Sequence, residues 1–117
     1  MPDRTKYMFN GYKSGKGRIV LQVVRRYIEQ HPEAGFDDIR QVFPDELQKT
    51  SSVQFSADGM CVVKRLNDVT DKKRFHLNEE DQLQAKGEKI VVSREWNVIN
   101  FKQFIIRARQ LGFEISR

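Results

Sequence analysis

Apolar positions recur along this chain with two periods, and together they predict three helical segments and several short strands. From Arg18 to Gln30 the rows Ile19, Val23, Tyr27 and Val20, Val24, Ile28 give one wide helical stripe, with Arg18, Arg25, Arg26 and Glu29 outside it. His31-Pro32 stops this helix. Phe36, Ile39 and Phe43 share a face of a second, shorter helix, which Pro44 limits. Asp37 is its expected N-cap, and Asp38 also suits the positive end of the helix. Asp45-Glu46-Leu47-Gln48 predicts a further turn that tucks Leu47 inward. At the other end Phe101, Phe104, Ile105, Ala108 and Leu111 keep helical spacing behind a capping box of Asn100 and Gln103. Gly112 suits the left-handed position after the last turn, and Phe113-Glu114-Ile115 returns as a short strand.

The alternating runs are shorter. Arg74 to Leu77 and Glu88 to Val92 predict a strand pair turning at Ala85-Lys86-Gly87-Glu88, with Gln82-Leu83-Gln84 extending the first strand or forming a middle one. Trp96 closes this hairpin as a core or rim residue. Tyr7-Met8-Phe9 reads as a strand or a packed arm, and Asn10 to Gly17 as a flexible basic loop. This divides the chain into a flexible basic arm, 1–17, and a single α+β domain, 18–117.

The stretch from Phe36 to Asn67 organises this reading. Ser56 to Asn67 is expected as a helix with Met60, Val63 and Leu66 inward and Lys64, Arg65 and Asn67 outward. With the preceding helix and a long connection over Asp45 to Phe55, that spacing is winged-helix-like, and the later hairpin would be the wing. Gly59 weighs against the helix by about 1 kcal/mol. The alternative runs Val53 to Val63 through a hairpin turning at Ala57-Asp58-Gly59, which removes the recognition helix. The fold class expected is α+β: a helical N-terminal half, a small antiparallel sheet and a C-terminal helix packed on it.

Composition then narrows the partners. The 117 residues suit one domain, and 38% hydrophobic residues with eight Phe supply its core. Lys+Arg number 21 against 16 Asp+Glu, a net charge of +5, which favours a polyanion. The cations cluster: Lys64, Arg65 and Asn67 on the expected helix, Lys72, Lys73 and Arg74 leading to the wing, Lys86 and Lys89 at its tip, and Lys13 and Lys16 near the start. Lysine and arginine of this kind neutralise phosphates, and Asn67 adds a base-edge group. Arg25-Arg26 reads first as a solvated helix face, and Glu79-Glu80-Asp81 as solvated surface turned away from the partner. The reading is DNA binding, with RNA as the alternative polyanion. Its rival is a protein-interaction module or inhibitor subunit, homodimer included, using Tyr7, Phe9, Tyr12 or Trp96.

Catalytic chemistry finds no support. Gly11 to Gly17 before a helix superficially resembles a phosphate-binding loop, but it has three residues between the glycines rather than four and Gly17 where a Ser or Thr should hold magnesium. His31, His76 and Cys61 are the soft-ligand candidates, and no close pair of them exists to build a zinc site. Cys61 is expected as buried filler rather than a nucleophile. No enzyme activity, metal, cofactor or small-molecule substrate is therefore expected. Without an apolar run of spanning length or a leader, a membrane partner is not expected either, and a single cysteine fits a reducing cytoplasm.

Several segments together resemble a known kind of domain: Phe43-Pro44-Asp45-Glu46-Leu47-Gln48, Val62-Val63, Arg74-Phe75, Trp96-Asn97-Val98-Ile99-Asn100-Phe101, and Ala108 through Ile115. They are similar to a small bacterial and phage domain associated with restriction-type and nuclease proteins, over Arg18 to Ile115. The resemblance implies an accessory domain that recognises DNA.

Overall fold

The computed structural model describes residues 6–48, 61–70 and 72–116. Within them the chain is α+β, with three α-helices and two small antiparallel sheets. Strands β1 (Tyr7–Phe9) and β2 (Tyr12–Ser14) form a hairpin whose two-residue turn places Asn10 and Gly11 at φ 53° and 78°. Left-handed backbone at both turn positions matches the twist of the strands, and Asn-Gly is the pair that adopts it most readily. Met8 also exchanges backbone hydrogen bonds with Ser116, so the chain's last described residue pairs with its first strand. The expected basic loop, Asn10 to Gly17, is thus a hairpin turn, strand β2 and the opening of helix α1 (Lys16–Gln30). The expected C-terminal strand is a single bridge at Ser116.

Helix α1 buries Ile19, Val20, Leu21, Val23 and Val24, the stripe that its spacing predicts. Helix α2 (Phe36–Val42) buries Phe36 and Ile39, and Phe43 follows at its C-terminus, fully buried. Its cap differs from expectation. Gly35 stands at the N-cap and has no side chain to offer, so Asp38 reaches back to accept the Gly35 N–H at 3.1 Å, while Asp37 stays exposed. A 3-10 turn over Asp45–Gln48 half-buries Leu47.

Helix α3 (Val98–Gln110) opens one turn before the expected box. Asn97 and Asn100 are its reciprocal pair, each side-chain oxygen accepting the other's backbone N–H at 2.8 and 2.9 Å. Gln103 instead donates to the Leu47 carbonyl at 3.2 Å. The helix packs on α1 and the 45–48 turn, and Phe101 meets the Tyr7 ring of β1 edge-on at 4.7 Å. Phe43, Phe104, Phe101 and half-buried Trp96 make a run of ring contacts through this side of the core. Gly112 closes α3 at φ 91° as expected.

The second sheet has the order β3-β5-β4, with β3 Val63–Arg65, β4 Leu83–Ala85 and β5 Glu88–Val92. This overturns the helix expected over Ser56–Asn67 wherever that segment is described. Val62 and Val63 are β-branched and buried, residues 63–65 pair antiparallel with β5, and Leu66–Asp68 adds only one 3-10 turn. Ser56 to Met60, like the alternative hairpin turn at 57–59, lie outside the described residues. The hairpin turn at Lys86-Gly87 is as expected, with Gly87 at φ 86° and Lys86 N–H pinned to the Ala34 carbonyl at 3.0 Å. Its partner strand is β4, however, and not Arg74 to Leu77. Lys72–Arg74 is a 3-10 turn, after which Phe75 makes a single bridge to Ser93 just beyond β5.

Candidate nucleic-acid interface

Strand register sorts the expected binding residues. Val63 faces Val92 and Arg65 faces Ile90 across β3–β5, while Leu83 faces Ile90 and Ala85 faces Glu88 across β4–β5. These positions share one face, because successive residues of a strand point to opposite sides. Their valine, leucine, isoleucine and alanine side chains belong to the main core, and Arg65 sits 4.5 Å over the Phe36 ring of α2. The other face carries Lys64 opposite Val91 and Gln84 opposite Lys89. Val91 is fully buried, Lys64 half-buried, and Gln84 and Lys89 exposed.

Lys64 and Lys89 therefore lie diagonally on one face of the sheet, each beside the covered Val91. No strand residue of that face is acidic. Lys86 is exposed at the hairpin tip. Lys72 and Lys73 are exposed in the turn before Phe75, at the opposite end of β5, and Asn67 is exposed in the turn after β3. Lys13 on β2 and Lys16 at the start of α1 belong to the other sheet and its helix.

Arg65 is removed from this set. On a helix it would share the outer face with Lys64; on a strand the two point apart. Its Nε donates to Glu88 at 2.9 Å and its Nη2 lies 3.6 Å from Asp37. Other arginines are also taken up within the fold. Arg40 pairs with Asp45 at 2.8 Å, and Arg107 donates to the Val42 carbonyl at 2.8 Å. Arg18 Nη1 donates to Asp81 at 2.8 Å, and Arg25 donates to the Glu80 carbonyl at 2.9 Å. The acidic run is thus only partly surface, since Asp81 is buried and holds the turn before β4 against α1. A hydrogen bond from Arg18 also draws the Tyr12 phenol below its usual range.

The glycine-rich opening of α1 serves close packing. A Cβ on Gly17 would stand 3.2 Å from the Arg94 carbonyl oxygen, so the missing side chain lets the helix start touch the backbone after β5. The Gly17 carbonyl lies 3.0 Å from Nε2 of buried His76, whose pKa burial pushes below the ordinary value. Burial, with Asp45 nearby, pushes the Cys61 thiol up to about 11. Among the described residues no group of His, Cys, Asp and Glu could hold a metal ion, and no helix is long and apolar enough to cross a membrane.

The aromatic candidates divide as well. Tyr7 and Phe9 are core residues, with Phe9 meeting Phe113 edge-on at 5.7 Å, and so offer no surface. Trp96 packs on Phe104 at 5.3 Å while its Nε1 donates to the Ser93 carbonyl at 3.0 Å. Tyr12 is 38% exposed. Sequence reasoning missed a different surface, the outer side of α3, where Val98, Ile99 and Ile106 are exposed by 42, 62 and 58%. The signal was present in the row Ile99, Lys102, Ile106, which repeats at helical spacing opposite Phe101, Phe104 and Ala108.

No protein-family model, curated protein or solved structure matches this chain.

Proposed function

We propose that this domain binds DNA without catalysis, laying the phosphate backbone along the outer face of the β3-β5-β4 sheet. Lys64 and Lys89 are the central contacts, with Lys86 at one end of β5 and Lys72 and Lys73 at the other. The observation that carries this reading is the register that sets Lys64 and Lys89 on one face without acidic strand residues. Contacts of this kind are made to phosphates and not to base edges, so affinity comes mainly from counterion release. Such binding fits an accessory role of the restriction-associated kind that the sequence resemblance implies.

The test is fluorescence anisotropy of a labelled duplex at low and moderate salt, with the double variant Lys64→Glu, Lys89→Glu beside the parent. Binding that weakens steeply with salt, and is abolished in the variant, supports the reading. Absence of binding at low salt, or a variant that binds as well as the parent, ends it.

A further inference from the structure

The outer side of α3 is a second candidate surface, independent of the sheet lysines. At 100° per residue, Val98, Arg109, Lys102, Ile106, Ile99 and Gln110 fall within one arc of about a third of a turn, and all six are exposed. Asn100, Phe101, Phe104 and Ala108, the buried residues, occupy the opposite arc. The helix is thus apolar on two sides. Ile99, Lys102 and Ile106 follow one another at i, i+3 and i+7, a spacing that lets the methylene stem of Lys102 lie between the two isoleucines with its ammonium in water. Such a row of anchors suits a helix laid alongside it.

Charge selects the occupant. No residue of α3 is acidic, and the exposed strip carries Lys102 and Arg109 as its charged groups. A second copy of this chain would meet the strip through a two-fold axis near its centre, between Ile99 and Ile106, which sets Lys102 beside its own counterpart. Like charges so placed oppose pairing. An amphipathic helix with aliphatic anchors flanked by carboxylates satisfies both the isoleucines and the cations. We infer that α3 docks an acidic amphipathic helix of a partner protein along Val98, Ile99, Lys102, Ile106 and Arg109.

The probe is a synthetic three-heptad peptide with Leu at a and d and Glu at e and g, which self-repels and so stays available, and the same peptide with Lys in place of Glu. Titration into the isotopically labelled full chain, followed by amide chemical shifts, is expected to move Ile99, Lys102, Ile106 and Arg109 saturably, and to do so still at about 0.3 M salt, where charge alone is screened. Ile99→Ser with Ile106→Ser changes exposed side chains only and is expected to weaken binding at least about tenfold with the circular dichroism spectrum unchanged. Lys102→Glu with Arg109→Glu is expected to exchange preference to the Lys peptide. Four outcomes overturn the inference: no saturable shift up to about 1 mM peptide, a range that reaches weak complexes; equal binding by the serine variant; shifts confined to Lys64 and Lys89; or self-association that the serine variant abolishes, which would make a second copy the occupant. Movement of the same amides by a DNA duplex and not by the Glu peptide also overturns it.

Discussion

Asp81, on the 3-10 turn before β4, accepts a 2.8 Å hydrogen bond from Arg18 in the first turns of α1, and its carboxylate is only 3% exposed. Arg25, two helical turns on, lies 4.0 Å from the other oxygen. A buried carboxylate is costly unless its partners stay in place, so the pairing fixes the approach of β4 to α1. Asp81→Leu is expected to destabilise the fold by about 1–3 kcal/mol, seen as a lower urea midpoint at unchanged slope. Arg18→Met is expected to cost at least as much, because it leaves the buried Asp81 carboxylate without its closest partner, whereas the Arg18 left by Asp81→Leu is 39% exposed and can be solvated. Equal stability of Asp81→Leu and parent would refute this role.

The opposed directions of Lys64 and Arg65 separate binding from stability. Lys64→Ala with Lys89→Ala is expected to flatten the slope of log K against log salt by about two, near one for each phosphate no longer neutralised. Arg65→Ala is expected to leave that slope unchanged and to lower stability by about 0.5–1 kcal/mol, because it removes the cation over the Phe36 ring and the Glu88 pair. A reversed pattern in anisotropy and thermal melts would place the interface on the other face.

Cys61 is expected to be a slow thiol. A pKa raised from 9.0 to about 11 leaves about a hundredfold less thiolate at pH 8, and the thiolate is the reactive form. Alkylation by iodoacetamide should run about a hundredfold slower in the folded chain than in urea, and a folded rate equal to the denatured rate would contradict the burial.

His76 sets a pH dependence with a definite sign. Burial holds the folded imidazole neutral below the ordinary value of 6.5, so between the two pKa values the unfolded chain binds the extra proton. The stability it contributes is complete above the unfolded value and is lost as pH falls through that value toward the folded one. Melting temperature is expected to fall from about pH 7.5 to about pH 5, and His76→Gln to reduce the fall, both read by circular dichroism.

Much of the fold was legible because its signals are local. The α1 stripe, the Phe36, Ile39 and Phe43 face, the Lys86-Gly87 turn and the Gly112 terminus each follow from a few neighbouring residues. Where two local signals competed, the sequence could not choose. Met60, Val63 and Leu66 keep helical spacing, yet Val62 and Val63 lie in extended chain because β5, far along the sequence, supplies the hydrogen-bonding edge. The cap of α3 moved for a similar reason: Asn97 and Asn100 complete each other, and Asn100 is buried. The candidate site depended on such distant pairings throughout. Which cations remain on the surface followed from Asp81 reaching Arg18 and Glu88 reaching Arg65, contacts that no spacing along the chain announces.

The exchange of hydrogen bonds between Met8 and Ser116, with Phe9 against Phe113 beside it, bears on the order of folding. Met8 and Ser116 are 108 positions apart, so their bridge closes a loop that takes in nearly all of the described residues. Closing so long a loop costs entropy before its contacts repay it, so β1 is expected to dock against Ser116 late in folding. Until then Tyr7 and Phe9 have no finished core to enter, and the β1–β2 hairpin keeps apolar surface open to association.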